Sequence, residues 1–198
     1  MTMRCSLAIL LVIITGCGSS PRTHFYALNV VPGAAEQMTA TSSRVQLVAV
    51  HLPPALDRRS IVRMTGSNSV QINDTERWSA PLDEMVRNVL SRDIAERLPE
   101  GTVVLPDAPA PARTDSLVVT IAQFGPDASG LVRLEGSWSL LAGSSDTPML
   151  QHDFRLDAGS ATTDGDATAA AMSRAVGDLA ANIASTLTQQ RQSSHAQR

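Results

Sequence analysis

Lysine is absent from this chain, and all 16 basic residues are arginine. That excludes any mechanism built on a Schiff-base lysine or a phosphate-loop lysine. Aromatic residues are scarce: Phe25, Tyr26, Trp78, Phe124, Trp138 and Phe154 are the whole set. Six rings are too few for a base-stacking platform or a long aromatic sugar groove. The net charge of −3 lacks the clustered positive footprint of a nucleic-acid binder, so no nucleic acid is expected as a partner. No apolar run approaches the roughly 20 residues of a spanning helix. The sequence has no G-x-S-x-G elbow, glycine-rich phosphate loop or C-x-x-C pair. His24, His51, His152 and His195 have no paired-ligand spacing. No catalytic residue, cofactor or metal is therefore expected, and the chain does not read as an enzyme. A hydrolase with a site scattered in sequence is the remaining reading of that class, and loss of activity on mutating one histidine is its test. Asp164-Gly165-Asp166 faintly resembles a calcium loop but lacks the further acidic ligands, and a helix-capping turn explains it.

What is present begins at the N-terminus. Met1 to Arg4 is short and basic, and Cys5 to Ile14 is apolar apart from Ser6. Such a run fits the apolar core of a secretory signal peptide. It ends in Ile14-Thr15-Gly16-Cys17, which resembles the bacterial lipoprotein signal. There a thiol accepts a diacylglyceryl group, and a peptidase needs slim residues before the cut. Residues 1–16 are read as the signal peptide and Cys17 as the lipidation site. Cys5 leaves with the peptide and Cys17 carries lipid, so the mature chain has neither a free thiol nor a disulfide. Two or three acyl chains give a stable membrane anchor, where one gives marginal binding. Position 18 is Gly rather than the Asp that retains enteric lipoproteins in the inner membrane, so the expected location is the outer membrane, periplasmic face.

The mature chain has the length and composition of one globular domain, with 43% hydrophobic and 18% charged residues in the full sequence. Residues 17–23 read as a lipidated tether, 24–190 as the domain and 191–198 as a frayed polar tail. Strands are expected at Phe25–Val30, Arg44–Leu52, Ile61–Met64 and Val70–Asn73, the last two joined by a Gly66-Ser67-Asn68 turn. Arg44–Leu52 is apolar on both faces, as in a sheet interior. Residues 80–98 carry Leu82, Met85, Val86, Val89, Leu90, Ile94 and Leu98 at helical spacing, with Ser79 as the cap. A short strand at Thr102–Leu105 precedes a three-stranded meander: Leu117–Phe124, Leu131–Leu141 and Met149–Asp157. His152 lies on the inward side of the last strand, at the core's edge. A helix from about Ala167 to Thr188 closes the chain. The order β-β-β-β-α-β-β-β-β-α predicts a single α+β domain: a largely antiparallel sheet with two amphipathic helices packed on one face.

Asp57-Arg58-Arg59 follows the Pro53-Pro54 turn, and its charges fit either a solvated loop or a partner contact. Trp78 follows Glu76-Arg77 at the entrance to the first helix and fits either a lid on the core or an interface anchor. Asp57, Arg58, Arg77 and Trp78 are the candidate partner-binding residues. The last helix has a second flank of small residues (Ala167, Ala170, Ala171, Gly177, Ala181, Ser185), which fits high helix propensity or a flat surface for another protomer.

A set of ordered segments carries a family resemblance. Ser20-Pro21 precedes Phe25-Tyr26-Ala27-Leu28. Val48-Ala49-Val50-His51-Leu52-Pro53 runs into Leu56-Asp57-Arg58, followed by Ile61-Val62-Arg63. Then come Glu76 to Leu82, Arg97-Leu98-Pro99, Val119 to Phe124, Leu134 to Trp138, and an Ala-rich last helix with Leu179-Ala180 and Ile183-Ala184. The chain resembles the ABC-type transport auxiliary lipoproteins of the PqiC/YmbA kind along nearly its whole mature length. Where that family has Arg-Pro after Leu-Asp, this chain has Arg58-Arg59-Ser60, which should loosen the turn. The resemblance implies a non-enzymatic outer-membrane lipoprotein, held in the membrane by acyl chains on Cys17. It would serve an intermembrane lipid or organic-solvent transport system alongside an MCE-domain periplasmic protein and its inner-membrane components. It also makes a homo-oligomer plausible. A different class, a lipoprotein regulator or assembly factor for an envelope synthase or outer-membrane barrel, is the alternative.

Overall fold

The computed structural model describes residues 21–33, 44–143, 145, 147–160 and 162–196. Residues 1–20, which include the expected signal peptide and Cys17, and residues 34–43 lie outside the described residues.

The elements follow the expected order. They are β1 (His24–Tyr26), β2 (Arg44–His51), β3 (Ser60–Gly66), β4 (Ser69–Trp78), α1 (Leu82–Arg97), β5 (Val103–Val104), β6 (Thr114–Pro126), β7 (Val132–Leu141), β8 (Pro148–Ala158) and α2 (Gly165–Ala196). The α+β class with two helices is as expected. The strands divide into two sheets rather than one: β5-β2-β6-β7-β8 and β1-β4-β3. The long pairings β3–β4, β6–β7 and β7–β8 are antiparallel. β2 pairs in parallel with β5 and β6, and β1 with β4. β2 meets β5 and β6 in parallel because the connection through β3, β4 and α1 carries the chain back across the sheet, which makes a crossover.

Both helices cover the five-stranded sheet and pack against each other. Leu47, Leu117, Val119, Ile121, Leu134, Trp138 and Phe154 meet Val86, Leu90 and Ile94 of α1 and Met172, Val176, Leu179 and Ile183 of α2 in one buried core. Among the described residues only one face of the sheet is covered by helices. Val48 is therefore 40% exposed, although β2 reads as apolar on both sides. His152, on the inward side of the edge strand β8, pairs with the buried Trp138, and its exposed ring stacks on that indole with centroids 5.0 Å apart.

Helix ends differ in detail from the sequence reading. Pro81, not Ser79, is the N-cap of α1, without a side-chain cap hydrogen bond. Ser79 lies in the bend between β4 and α1: its N–H donates to Tyr26 O at 2.8 Å, and its hydroxyl lies 3.7 Å from Met85 S. Asp164 caps α2, accepting from Ala167 N at 2.8 Å, and that hydrogen bond, before the one from Thr162, holds its carboxyl below the usual range. α2 continues to Ala196, through the stretch expected to fray.

The expected first strand ends early. After Tyr26 the chain crosses both helices, because its amides find side chains there: Asn29 N donates to Ser173 Oγ at 3.1 Å and Val31 N to Asp93 Oδ1 at 2.8 Å. Gly177 is where Val31 seats, since a Cβ there would lie 2.9 Å from the Val31 Cβ. The small-residue flank of α2 is thus partly used within the chain: Ala171 and Gly177 are buried, while Ala170 and Ala181 are exposed.

Candidate functional site: the arginine-bearing end of the small sheet

The Pro-Pro turn after β2 is closed by Leu56 N to Pro53 O at 2.9 Å and Arg58 N to Leu56 O at 2.8 Å. This presents Asp57, Arg58 and Arg59 to solvent. Among the described residues, neither Asp57 nor Arg58 has a side-chain hydrogen bond or ion pair, so both groups are available to a partner. Arg59 is committed to the fold. Its carbonyl accepts from Trp78 N at 2.6 Å and its guanidinium donates to Ser79 O at 3.0 Å. Ser60 opens β3, and its hydroxyl donates to Asp74 Oδ1 of β4 at 3.3 Å.

Arg77 pairs with Ser60 and is exposed, its Nε donating to Asp74 O at 2.9 Å. Trp78, one residue on, is 2% exposed. It packs beneath the charged loop, in the core role rather than that of an exposed anchor. The structure therefore gathers Asp57, Arg58 and Arg77 at one end of the small sheet and takes Trp78 inside.

Surface grooves lie at the turn between β2 and the small sheet and along the small sheet itself. One, of about 260 Å³, is lined by His51, Leu52, Pro54, Leu56, Asp57 and Asp83 among others. The second, of about 350 Å³, is lined by residues including Arg63, Gln71, Glu76 and Asp127. In it Arg63 pairs with Glu76 at 3.0 Å and donates to Thr168 Oγ1 at 2.9 Å, which fastens the small sheet to α2. The Asp127 carboxylate accepts from Ser129 and Leu131 and is held below the usual range, first by the Ser129 hydroxyl. Neither groove pairs a nucleophile with a base. Among the described residues no three His, Cys, Asp or Glu side chains gather as metal ligands. The arrangement suits recognition of a charged surface.

One charged group escaped the sequence reading. Asp93 lies fully buried on α1. Its Oδ1 accepts from Val31 N and lies 3.9 Å from the Arg97 guanidinium, which itself donates to Asp93 O and Val31 O. Burial pushes the Asp93 carboxyl from 3.8 up to about 6, against the opposing effects of the Val31 amide and Arg97. The signal was an Asp and an Arg four residues apart among the apolar positions Leu90 and Ile94.

The comparisons with known proteins agree with this architecture. Over 154 residues, 77% of this chain and 79% of the relative, the sequence is 29% identical to the intermembrane transport lipoprotein PqiC of Escherichia coli, and it matches PqiC of Shigella flexneri equally. The crystal structure of an uncharacterized protein superposes with a TM-score of 0.71 at 23% identity, covering 84% of this chain and 99% of that one. That of a Xanthomonas campestris protein gives 0.69 at 21%, covering 86% and 99%. These likenesses establish the fold. The sequence model of one family spans residues 26–184, from β1 well into α2. The chain belongs to the family described as the ABC-type transport auxiliary lipoprotein component.

Proposed function

We propose that this protein is a lipoprotein anchored in the outer membrane through acyl chains on Cys17, facing the periplasm. It serves as a non-enzymatic accessory subunit of an intermembrane lipid or organic-solvent transport system. Residues 17–23 are the tether and 24–190 the working domain. The observation that carries the reading is the family match across residues 26–184. Two curated relatives named as intermembrane transport lipoproteins support it, as does the small-small-Cys signal at Cys17. The partner is an MCE-domain periplasmic protein with its inner-membrane components, which supply any energy used. Asp57 and Arg58, with Arg77 beside them, are the contact residues.

Mild crosslinking of the lipidated protein in its own envelope, followed by mass spectrometry, tests the partnership. Recovery of an MCE-domain protein is expected, and Arg58→Glu should weaken it without unfolding the domain. Recovery of an envelope synthase or an outer-membrane barrel in its place would overturn the transport role. Cys17→Ala, still exported, should be folded yet unable to support the pathway. Equal function of that variant and the wild type would overturn the anchoring role.

A further inference from the structure

We propose that the outer face of the β3–β4 hairpin, together with Phe25, seats on the bilayer that holds the Cys17 lipid. The inference rests on the anchoring reading above. The pairing register places Val62 beside Ile72 and Met64 beside Val70, all on the face opposite the buried Ile61. Phe25 and Arg77 form a pair that points away from the core, since their neighbours Tyr26 and Trp78 point into it. Of the exposed large apolar side chains, Phe25 (63%), Val70 (53%) and Ile72 (41%) lie on this small sheet. Nothing among the described residues covers them.

The chain's own connectivity identifies the occupant. β1 runs parallel to β4, so the chain enters β1 from the side of the β3–β4 turn. His24 is seven positions on from Cys17, a reach of at most about 25 Å. Glu76, the partner of His24, is likewise seven positions on from Ser69 at the turn. The anchor's tether is therefore as long as the hairpin and approaches from its tip, so the lipid can lie level with the apolar face. Arg22, exposed just before β1, suits anionic headgroups. Apolar side chains flanked by arginine are the composition of an interfacial membrane contact.

The test uses the acylated full-length mature protein in vesicles of phosphatidylethanolamine and phosphatidylglycerol containing doxyl-labelled lipid. A nitrobenzoxadiazole label is placed at Ile72→Cys or, as a control, at the exposed Asp178→Cys on α2. Quenching at Ile72→Cys should exceed that at Asp178→Cys by roughly two-fold or more. Equal or weaker quenching at Ile72→Cys overturns the proposal, and disulfide crosslinks between two copies at that position would then assign the face to self-association. The mass of the purified protein reports Cys17 acylation independently. If the acyl group is missing, the anchoring reading fails, and the Cys17→Ala protein added to the same vesicles tests the hairpin on its own. Retained quenching there supports the contact and its loss overturns it. In that background Val70→Ser with Ile72→Ser should lower vesicle binding by roughly ten-fold, with the circular dichroism spectrum unchanged.

Discussion

Among the described glycines, Gly136 is the least tolerant of a side chain. It faces the irregularity in β6 between Ile121 and Gln123, and a Cβ there would stand 2.1 Å from Thr120 O. The obstacle is backbone in the middle of the large sheet, which cannot swing aside. Gly136→Ala should cost about 3 kcal/mol, read as a lower thermal midpoint, and an unchanged midpoint would show that β6 relaxes there. Trp78 makes the complementary case. Its ring is enclosed, so Trp78→Ala should destabilise the domain by about 3–5 kcal/mol, while Arg58→Glu at the surface should leave stability within about 0.5 kcal/mol. Partner loss in Trp78→Ala at full stability would return that residue to the contact surface. The sequence marked Trp78, since Glu76-Arg77-Trp78 stands out before a helix, and Arg58, in the charge cluster after Pro53-Pro54. It could not tell lid from anchor, because burial of one ring depends on the Arg59 carbonyl and the core beneath it.

Both helices were legible from their apolar spacing, with starts within about two residues of those observed. Their ends were set by contacts distant in sequence. Ser79 is a good capping residue by type, yet its amide is bound to Tyr26, and the helix begins after Pro81. Asp93 shows how an element carries a pH response. Its folded pKa lies above its unfolded value, so the folded state keeps the proton to higher pH. The stability of the protonated form is present in full below about pH 4 and is lost as pH rises through about 6, a change of about 3 kcal/mol. Asp93→Asn retains an acceptor for Val31 N and should flatten that slope. Urea unfolding near pH 4 and near pH 7 for both proteins checks this, and equal slopes would assign the response to another group.

The two sheets of the molecule should differ in local stability. β6 and β7 are interior strands whose inward residues Val119, Val132 and Leu134 are wholly buried, whereas residues 65–72 at the hairpin are exposed. In solution without lipid, amide exchange should be fastest at the hairpin tip and slowest in β6 and β7. Uniform protection across both sheets would mean that the hairpin is held by contacts beyond those described. At this scale the local patterns in the chain decide a good deal: periods of 2 and 3.6 set the strands and helices, Pro and Gly punctuate them, and the Gly16-Cys17 signal with the ordered motifs from Phe25 to Ala184 points to the family. Each depends on residues a few positions apart. The split into two sheets, the parallel pairing of β2 with β6, the burial of Trp78 and the clamp from Asp93 to Val31 were decided only on folding. They join residues tens of positions apart, and which strand edges and buried acceptors meet depends on how the helices cover one face of the sheet and leave the other open.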